Sequence, residues 1–574
     1  MNLLSINIEG LGDPRKSNWI RGLKATYGVH FLAIQETKIG DMDRLQATNL
    51  WGWTKYELES VMAEGRSGGL LCLWNPGVFR AMNIIKNRYF LIISGELVGM
   101  DKKGNFANIY APNDPASRRT LWEDLLVLRN SLPGLWVFLG DFNEVRDASE
   151  RVSSEFVAFN ADWFNKFIED AEVTEYNMGR HQFTYMSDNG KKLSKLDRFL
   201  VCREFMNYWP TASLTALSRG YSDHCPILLS VIPHDFGHIP FRFFNSWLEL
   251  PGFVNFVEES AGSFVFDGPA GLSLSTKFRW LKNRIKSWVE KERRIREDSF
   301  RLCKARLEEL ESLAESRVLD PLELDERLNC KQVVGAFDKE KLKDAHQKSR
   351  VRWAKDGDEN SGFFHSMVNT NVSRNRINVM SFNGEWVIDP VSLKDHIRDY
   401  FAERFREPFS LRPQLVCHGI AKLDGREAAK LEEGFSTEEI KRVIWECGDD
   451  RAPGPDGFNF RFIKRFWSCF EVDFYRLFTE FYDEPYLHYG SCSSFIALIA
   501  KVTDPSVPQE FRLVSLIGCI NKTISKVLVN RLKGVIGKLI SDEQTGFLEG
   551  RSILDGPLVL NELIAWLSKK RRRV

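Results

Sequence analysis

Six apolar runs within roughly the first 230 residues each end in a polar block, and this ordered set limits the available folds more than any other feature. The blocks are SINIEG (5–10), IQETK (34–38), IYAPN (109–113), GDFNE (140–144), KLDRF (195–199) and YSDHC (221–225). The runs beside them, Leu3–Ile8, Phe31–Ile34, Phe106–Ile109, Leu135–Leu139, Phe199–Cys202 and Pro226–Ile232, have the length of buried strands. Helical stretches such as Trp19–Tyr27 and Leu121–Ser131 alternate with them, which predicts an α/β domain. Strands of this kind deliver their polar tips to one rim of a sheet, so the six blocks are expected to converge.

The residue types at those tips suit phosphodiester hydrolysis. That reaction needs neutralised phosphate charge, an activated water and a stabilised leaving oxygen. Glu36 is a hard-oxygen ligand of the kind Mg²⁺ takes. Asp141 and Asn143 lie two apart after a strand and face one side if the strand continues, one as base and the other as donor to water or phosphate. Asp197 can orient His224 and favour its imidazolium, and Asp223 offers a further metal-binding or proton-shuttling carboxylate. Asn7 would hold the Glu36 side of the site, and Tyr110 would donate its hydroxyl to a phosphate oxygen. Singly, each residue also fits ordinary turn chemistry. Glu9 and Thr184 read equally well as caps or surface residues.

Composition bounds the rest. The 574 residues predict two to four domains, and 43% apolar with 12% aromatic residues suffices for packed cores. Basic and acidic residues nearly cancel, 79 against 78, so any nucleic-acid contact must come from local patches and not from bulk charge. The ten cysteines form no C-x-x-C pair and no zinc-spaced cluster, which fits reduced thiols in an intracellular protein. The chain opens on a strand-like segment without a signal-peptide pattern and holds no apolar run long enough to span a bilayer, so no membrane association is expected.

Punctuation at Pro233, Gly237 and Pro240 ends the first domain, 1–233. A charged helical linker, 234–430, follows. Within it Leu281, Trp288, Ile295 and Leu302 recur every seven residues from Lys277 to Leu313 and place one apolar stripe on a long helix. The polar companions Glu292, Ser299 and Arg306 favour a connector or helical hairpin over a dimerising coiled coil. The stripe's basic neighbours, Lys282 to Arg296, read equally as a solvated face or as phosphate contacts. Asp356, Asp358 and Asn360 fail as a calcium loop, because Ser361 and Met367 stand where a glycine and a bidentate glutamate are needed. The last region, 431–574, is mainly helical, with one loop at APGPDGF (452–458) and a basic run from Lys569 to Arg573 that reads as a nuclear address, a phosphate contact or a frayed helix end.

The six blocks together resemble the endonuclease/exonuclease/phosphatase superfamily, which includes apurinic endonucleases, pancreatic-type DNases, inositol phosphatases and the endonuclease domains of LINE-type (non-LTR) retrotransposons. The resemblance implies a four-layered, DNase-like α/β sandwich. It places Asn7, Glu36, Tyr110, Asp141, Asn143, Asp197, Asp223 and His224 on functional positions, with Glu36, Asn7 and Asp223 around Mg²⁺ or, as the alternative ion, Mn²⁺. Ile6 stands where the family usually carries tryptophan, and Glu9 where relatives vary between acid and base.

The strings RAPGPDGF (451–458), FIALIAKV (495–502), FRLVSLIGCINKTISKVLVNRL (511–532) and ISDEQTGFLEGRSILDG (540–556) are similar to the opening of the reverse-transcriptase domain of plant LINE-type elements. WAKDGDENSGFFH (353–365) resembles the connector before it. Two-metal polymerisation needs aspartates from two palm motifs. None follows Gly556 and no Tyr-x-Asp-Asp-like string occurs, so a partial fingers/palm fragment without polymerase activity, and with an uncovered apolar face, is expected.

The expected activity is therefore Mg²⁺-dependent nicking of chromosomal DNA by a nuclear protein that also meets element RNA, with oligomeric state left open. Target preference would reside in loops around the site such as 180–195. The alternatives are a catalytically idle nucleic-acid-binding remnant, and a phosphoesterase acting on RNA or a small phosphoester.

Overall fold

Side-chain alternation along the strands decides the layering of the N-terminal region. The computed structural model describes residues 1–574 apart from 42–46, 66, 232–236, 350–360, 410, 413–420, 488–491, 503, 542 and 570–574. Pro233 of the expected boundary, the Asp356–Asn360 stretch, the start of the 353–365 connector and residues 570–573 of the basic run therefore lie outside the described residues.

In chain order the elements are β1 (Asn2–Asn7), α1 (Pro14–Tyr27), β2 (Phe31–Gln35), α2 (Ala47–Trp51), β3 (Glu57–Val61), β4 (Leu70–Trp74), β5 (Phe79–Lys86), β6 (Phe90–Leu97), β7 (Lys103–Tyr110), α3 (Pro115–Ser131) and β8 (Leu135–Asp141). Then come β9 (Arg151–Val152), α4 (Ala158–Asp170), β10 (Val173–Glu175), β11 (Met178–Gly179), β12 (Tyr185–Met186), β13 (Leu193–Ser194), β14 (Asp197–Cys202), α5 (Arg203–Tyr208), β15 (Ser213–Ala216) and β16 (Ile227–Ser230). One seven-stranded sheet runs β11-β15-β16-β1-β2-β4-β3 and a six-stranded sheet runs β10-β14-β8-β7-β6-β5. Both are mixed: β1 and β2, like β7 and β8, are parallel, while β1 with β16 and β8 with β14 are antiparallel.

Leu4 and Ile6 of β1 pack with Ile20 of α1 and with Leu50 and Trp51 of α2. Leu3, on the opposite face, joins Phe31, Phe106, Ile109 and Phe138 between the sheets, and this core continues to Trp122 of α3 and Phe164 of α4. The order is thus helices, sheet, sheet, helices, the DNase-like arrangement expected. Helices α1 and α3 begin several residues before the predicted stretches. Asp13 and Asp114 cap them, and Pro14 and Pro115 occupy first-turn positions where a missing N–H costs nothing.

Two compact units form. The first comprises Met1–Gly237 together with Arg352–Arg406 and Leu498–Leu513. The second comprises His238–Val351, Glu407–Ala497 and Val514–Val574. The second is largely helical. Its core gathers Phe243, Phe278, Phe458, Phe462 and Phe470.

The heptad stripe lies on the helix Ala270–Ser316. Its first half, Phe278, Leu281 and Ile285, is buried, whereas Ile295 and Leu302 are exposed. The second half of that helix pairs with Pro321–Ser349, with Phe300 4.6 Å from Phe337 and Arg306 paired to Glu326, so the helical hairpin is the arrangement present. Leu558, Leu560, Leu563 and Trp566 on the helix Asp555–Lys569 are exposed. No helix of the described residues is long and apolar enough to cross a membrane, and the described cysteines are free.

Candidate active site

Strand register brings the polar tips together. Asn7 pairs with Gln35 across β1 and β2, which leaves Glu36 one residue beyond. In the other sheet Tyr110 pairs with Asp141, and Asp141 with Asp197, so three of the expected site residues form one row across β7, β8 and β14. Ser5 pairs with Ile227 between β1 and β16, and Asp223 and His224 enter the site from the turn before β16.

Two bonds join the rims. Asn7 Nδ2 donates to Asp141 Oδ2 at 3.0 Å, and His224 Nδ1 donates to Asp197 Oδ2 at 2.7 Å. Nε2 of His224 then lies 3.9 Å from Asp141 Oδ2. Asp141, Asp197 and His224 are buried, while Glu36 is 17% and Glu9 50% exposed at the side chain.

β8 ends at Asp141, so Asn143 is not placed by a continuing strand. Its backbone N–H donates to Asp141 Oδ1 at 2.9 Å, and a left-handed backbone (φ 49°) turns its amide to donate to the Ala111 carbonyl at 2.7 Å. Glu36 (φ 53°) and Glu9 (φ 51°) share this conformation, which costs a non-glycine residue of order 1 kcal/mol and marks sites where the surroundings over-determine the backbone. Gly140 is required: a Cβ there would sit 2.0 Å from the Ile109 carbonyl oxygen, at φ 137°.

Burial opposes charge on His224, but Asp197, by charge and hydrogen bond, and then Asp141 and Asp223 outweigh it and raise the imidazole to about 10. It is an imidazolium at neutral pH. Burial raises the Asp141 carboxyl, His224 opposes, Asp197 adds, and the group comes to about 6, leaving it ionised at neutral pH. Burial, then Glu36 and Asp141, a hydrogen bond to Glu36, and Asp223 push Tyr110 far above the ordinary phenol range, so its hydroxyl remains a donor.

Several supporting residues escaped the sequence reading. Gln35 Nε2 donates to Asn108 Oδ1 (2.6 Å) and Ser5 Oγ (3.0 Å), and Asn108 Nδ2 donates to the carbonyls of Ile34 and Leu71, each at 3.2 Å. This buried network pins the two sheets beneath the site. Ser222 Oγ donates to the Asn7 carbonyl at 2.7 Å and accepts the His224 N–H at 3.1 Å. Arg118 donates to Glu144 (2.7 Å) and to the Asn113 carbonyl (2.8 Å), tying the IYAPN and GDFNE loops. Thr184 proves structural at close quarters: its Oγ1 accepts the N–H of Leu196 and of Asp197, each at 3.0 Å. The 180–195 stretch forms the β12–β13 hairpin, and the Tyr185 ring lies 5.1 Å from that of His224. A polar residue inside a strand, as at Gln35 and Asn108, was the available signal.

A hard divalent ion suits the donors present. Three carboxylates, Glu36, Asp141 and Asp223, act on the one Tyr110 hydroxyl. A cation already stands there, with Lys38 Nζ 3.1 Å from Glu36 and 3.8 Å from Glu9. The ligand atoms of Asp141, Asp197 and His224 also lie within 4.8 Å of one another. An imidazolium whose Nδ1 is bonded to Asp197 has no lone pair to offer there, which leaves carboxylate oxygens as the donors for such an ion.

Over 520 residues the chain is 24% identical to the Transposon TX1 uncharacterized 149 kDa protein of Xenopus laevis, a match covering 86% of this chain and 38% of the relative's length. The chain thus spans well under half of that protein. Among solved structures, the AP endonuclease LMAP from Leishmania major aligns with 40% of this chain and 86% of its own at 15% identity and TM-score 0.33. The endonuclease domain of TRAS1, a telomere-specific non-LTR retrotransposon, aligns with 40% of this chain and 97% of its own at 13% identity and TM-score 0.30. Residues 4–224, the stretch that holds every residue of the cluster, match the model of the Endonuclease/Exonuclease/phosphatase family, and the N-terminal part of this chain is a domain of that kind.

Proposed function

We propose that this protein nicks DNA by Mg²⁺-dependent hydrolysis of a phosphodiester, as the endonuclease part of a LINE-type retroelement. The carrying observation is the His224–Asp197 pair set 3.9 Å from a carboxylate, Asp141, that is held at both oxygens. Asp141 takes a proton from water as the water oxygen adds to phosphorus and the opposite P–O bond breaks, its electron pair going to the leaving oxygen, which takes a proton from solvent. Asn143 has spent one amide N–H on Ala111 and retains the other, with its Oδ1, to orient that water. The His224 imidazolium and the Tyr110 hydroxyl meet charge on the phosphoryl oxygens. Glu36, Asn7 and Asp223 would hold the ion, which supplies charge neutralisation at phosphate. The family match and the similarity to a transposon protein support DNA as substrate and a retroelement as source. Chromosomal DNA as target, element RNA as a further partner, a nuclear location and a plant host belong to the same proposal.

Within it, 1–233 is the nuclease module, 234–430 the linker and 431–574 a reverse-transcriptase-like module. These 574 residues contain no Tyr-x-Asp-Asp-like string, and extension of a primed RNA template is not expected of them. The test is supercoiled-plasmid nicking by the full chain with Mg²⁺, Mn²⁺ or chelator, beside Asp141→Ala and His224→Ala. Metal-dependent nicking lost in both variants supports the assignment. Equal activity in wild type and variants, or none in any, overturns it, and retained DNA binding without cleavage would favour the idle remnant.

A further inference from the structure

Beside the site lies a buried charge cluster that the mechanism does not use. Arg198, fully buried, pairs with Glu150 and with Glu175 (2.9 Å). Lys195, 5% exposed at the side chain, contacts Glu175 at 3.2 Å and Asp504 at 2.9 Å. Asp504 comes from the Leu498–Leu513 segment of the same compact unit. A lysine so buried needs its partners, because an unpaired charge there is strongly destabilising.

Asp504 makes a second contact. Its Oδ1 accepts the backbone N–H of Met178 at 2.9 Å, on β11, the edge strand of the seven-stranded sheet. Val379 closes on the same strand: a Cβ at Gly179 would lie 2.2 Å from its Cγ1. Asp504 holds this position in a left-handed backbone conformation (φ 50°), which its neighbours must enforce. The carboxylate therefore takes up the Met178 N–H of this edge strand and, through its other oxygen, holds the residue two before Asp197. Leu196 and Asp197 continue from Lys195 directly onto the Thr184 hydroxyl.

We infer that Asp504 is a positioning residue for phosphodiester hydrolysis: from 309 residues downstream it fixes Lys195, hence the entry of β14, hence Asp197 and His224. This rests on the nuclease reading above. On this inference the Leu498–Leu513 segment, whose sequence resembles another module, completes the nuclease.

The test uses full-chain Asp504→Asn and Asp504→Glu, with nicking kinetics and with hydrogen exchange at the Leu196 and Asp197 amides measured without metal or DNA. Asp504→Asn should lower kcat about tenfold with KM within about twofold, and Asp504→Glu should restore most of it. In a Lys195→Met background the same change should cost less than about twofold, because both act through one pair. The two amides should exchange faster.

Wild-type kcat and exchange in Asp504→Asn overturn the inference while leaving the nuclease intact. An equal loss in the Lys195→Met background also overturns it, since it reports general structural damage. If the wild-type protein does not nick, the nuclease reading falls, and unchanged exchange would then remove the link from Asp504 to β14 as well. If Asp504→Asn does not fold, the Lys195→Met/Asp504→Leu pair removes both charges. Wild-type kcat in that folded variant overturns the inference, and a tenfold loss supports it.

Discussion

Asn7 Nδ2 donates to Asp141 Oδ2 at 3.0 Å, and this bond ties the rim of one sheet to the rim of the other. It also holds the carboxylate oxygen that lies nearest His224. Asn7→Ala frees that oxygen and also removes Asn7 Oδ1 as acceptor of the Glu9 N–H at 3.2 Å. Nicking kcat should fall about 100-fold, the scale of losing one preorganised hydrogen bond at a reacting group. Wild-type kcat in a folded Asn7→Ala protein would remove Asn7 from the site.

The raised imidazole gives a pH prediction. With His224 near 10, the imidazolium persists across the neutral range and is lost only as pH rises through that value. Asp141 must be ionised, so activity should decline on the acid side at about 6 or below. Asp197→Asn removes the partner that outweighs burial, and the alkaline limb should move down toward about 6.5 or lower. A kcat–pH profile with the same alkaline limb in both proteins would contradict the pairing.

The Gln35–Asn108 network predicts a stability effect. Asn108→Leu leaves the Gln35 amide buried without its 2.6 Å acceptor and should cost about 2–3 kcal/mol in urea unfolding followed by tryptophan fluorescence. A shift below about 0.5 kcal/mol would mean the sheets are held by apolar packing alone.

Glu175 supplies an acid-side prediction. Burial favours its neutral form, but Lys195 and Arg198 outweigh burial and hold the carboxyl below its ordinary value near 4.5. A depressed folded-state value stabilises the fold above the unfolded-state value, and that contribution disappears as pH falls through the folded one. The urea midpoint should therefore drop between pH 6 and pH 3 partly through this group. Glu175→Gln, less stable at pH 6, should lose less over the same interval.

Six of the strands were legible because short apolar runs with polar tips have few other uses, and the register did the rest: residues 134 positions apart, such as Asn7 and Asp141, meet at one rim. The support beneath was less legible. Gln35 and Asn108 interrupt apolar strands, but their pairing depends on how two sheets face each other, and one strand's pattern carries no information about that. Asn143 was placed by assuming a continued strand, whereas the Asp141 carboxylate captures its N–H and turns the chain. The long helix was visible from its heptads, yet Ile295 and Leu302 of the same stripe are exposed, because a repeat specifies a face and not what covers it. Asp504 was beyond reach, since nothing near it in sequence points to Lys195.

The noncontiguous first unit also sets a schedule for synthesis. Met1–Gly237 leaves the ribosome first, but Leu498–Leu513 is still to be made. At translation rates of about 5–20 residues per second, the intervening stretch takes roughly 13–52 seconds. Through that interval the nascent chain carries the Met178 N–H and Lys195 without Asp504, an incomplete ion cluster beside the edge strand. Ribosome-bound chains arrested before and after residue 513 should therefore differ in protease resistance around 178–198, so the first unit is completed only after the intervening segments of the second have been made.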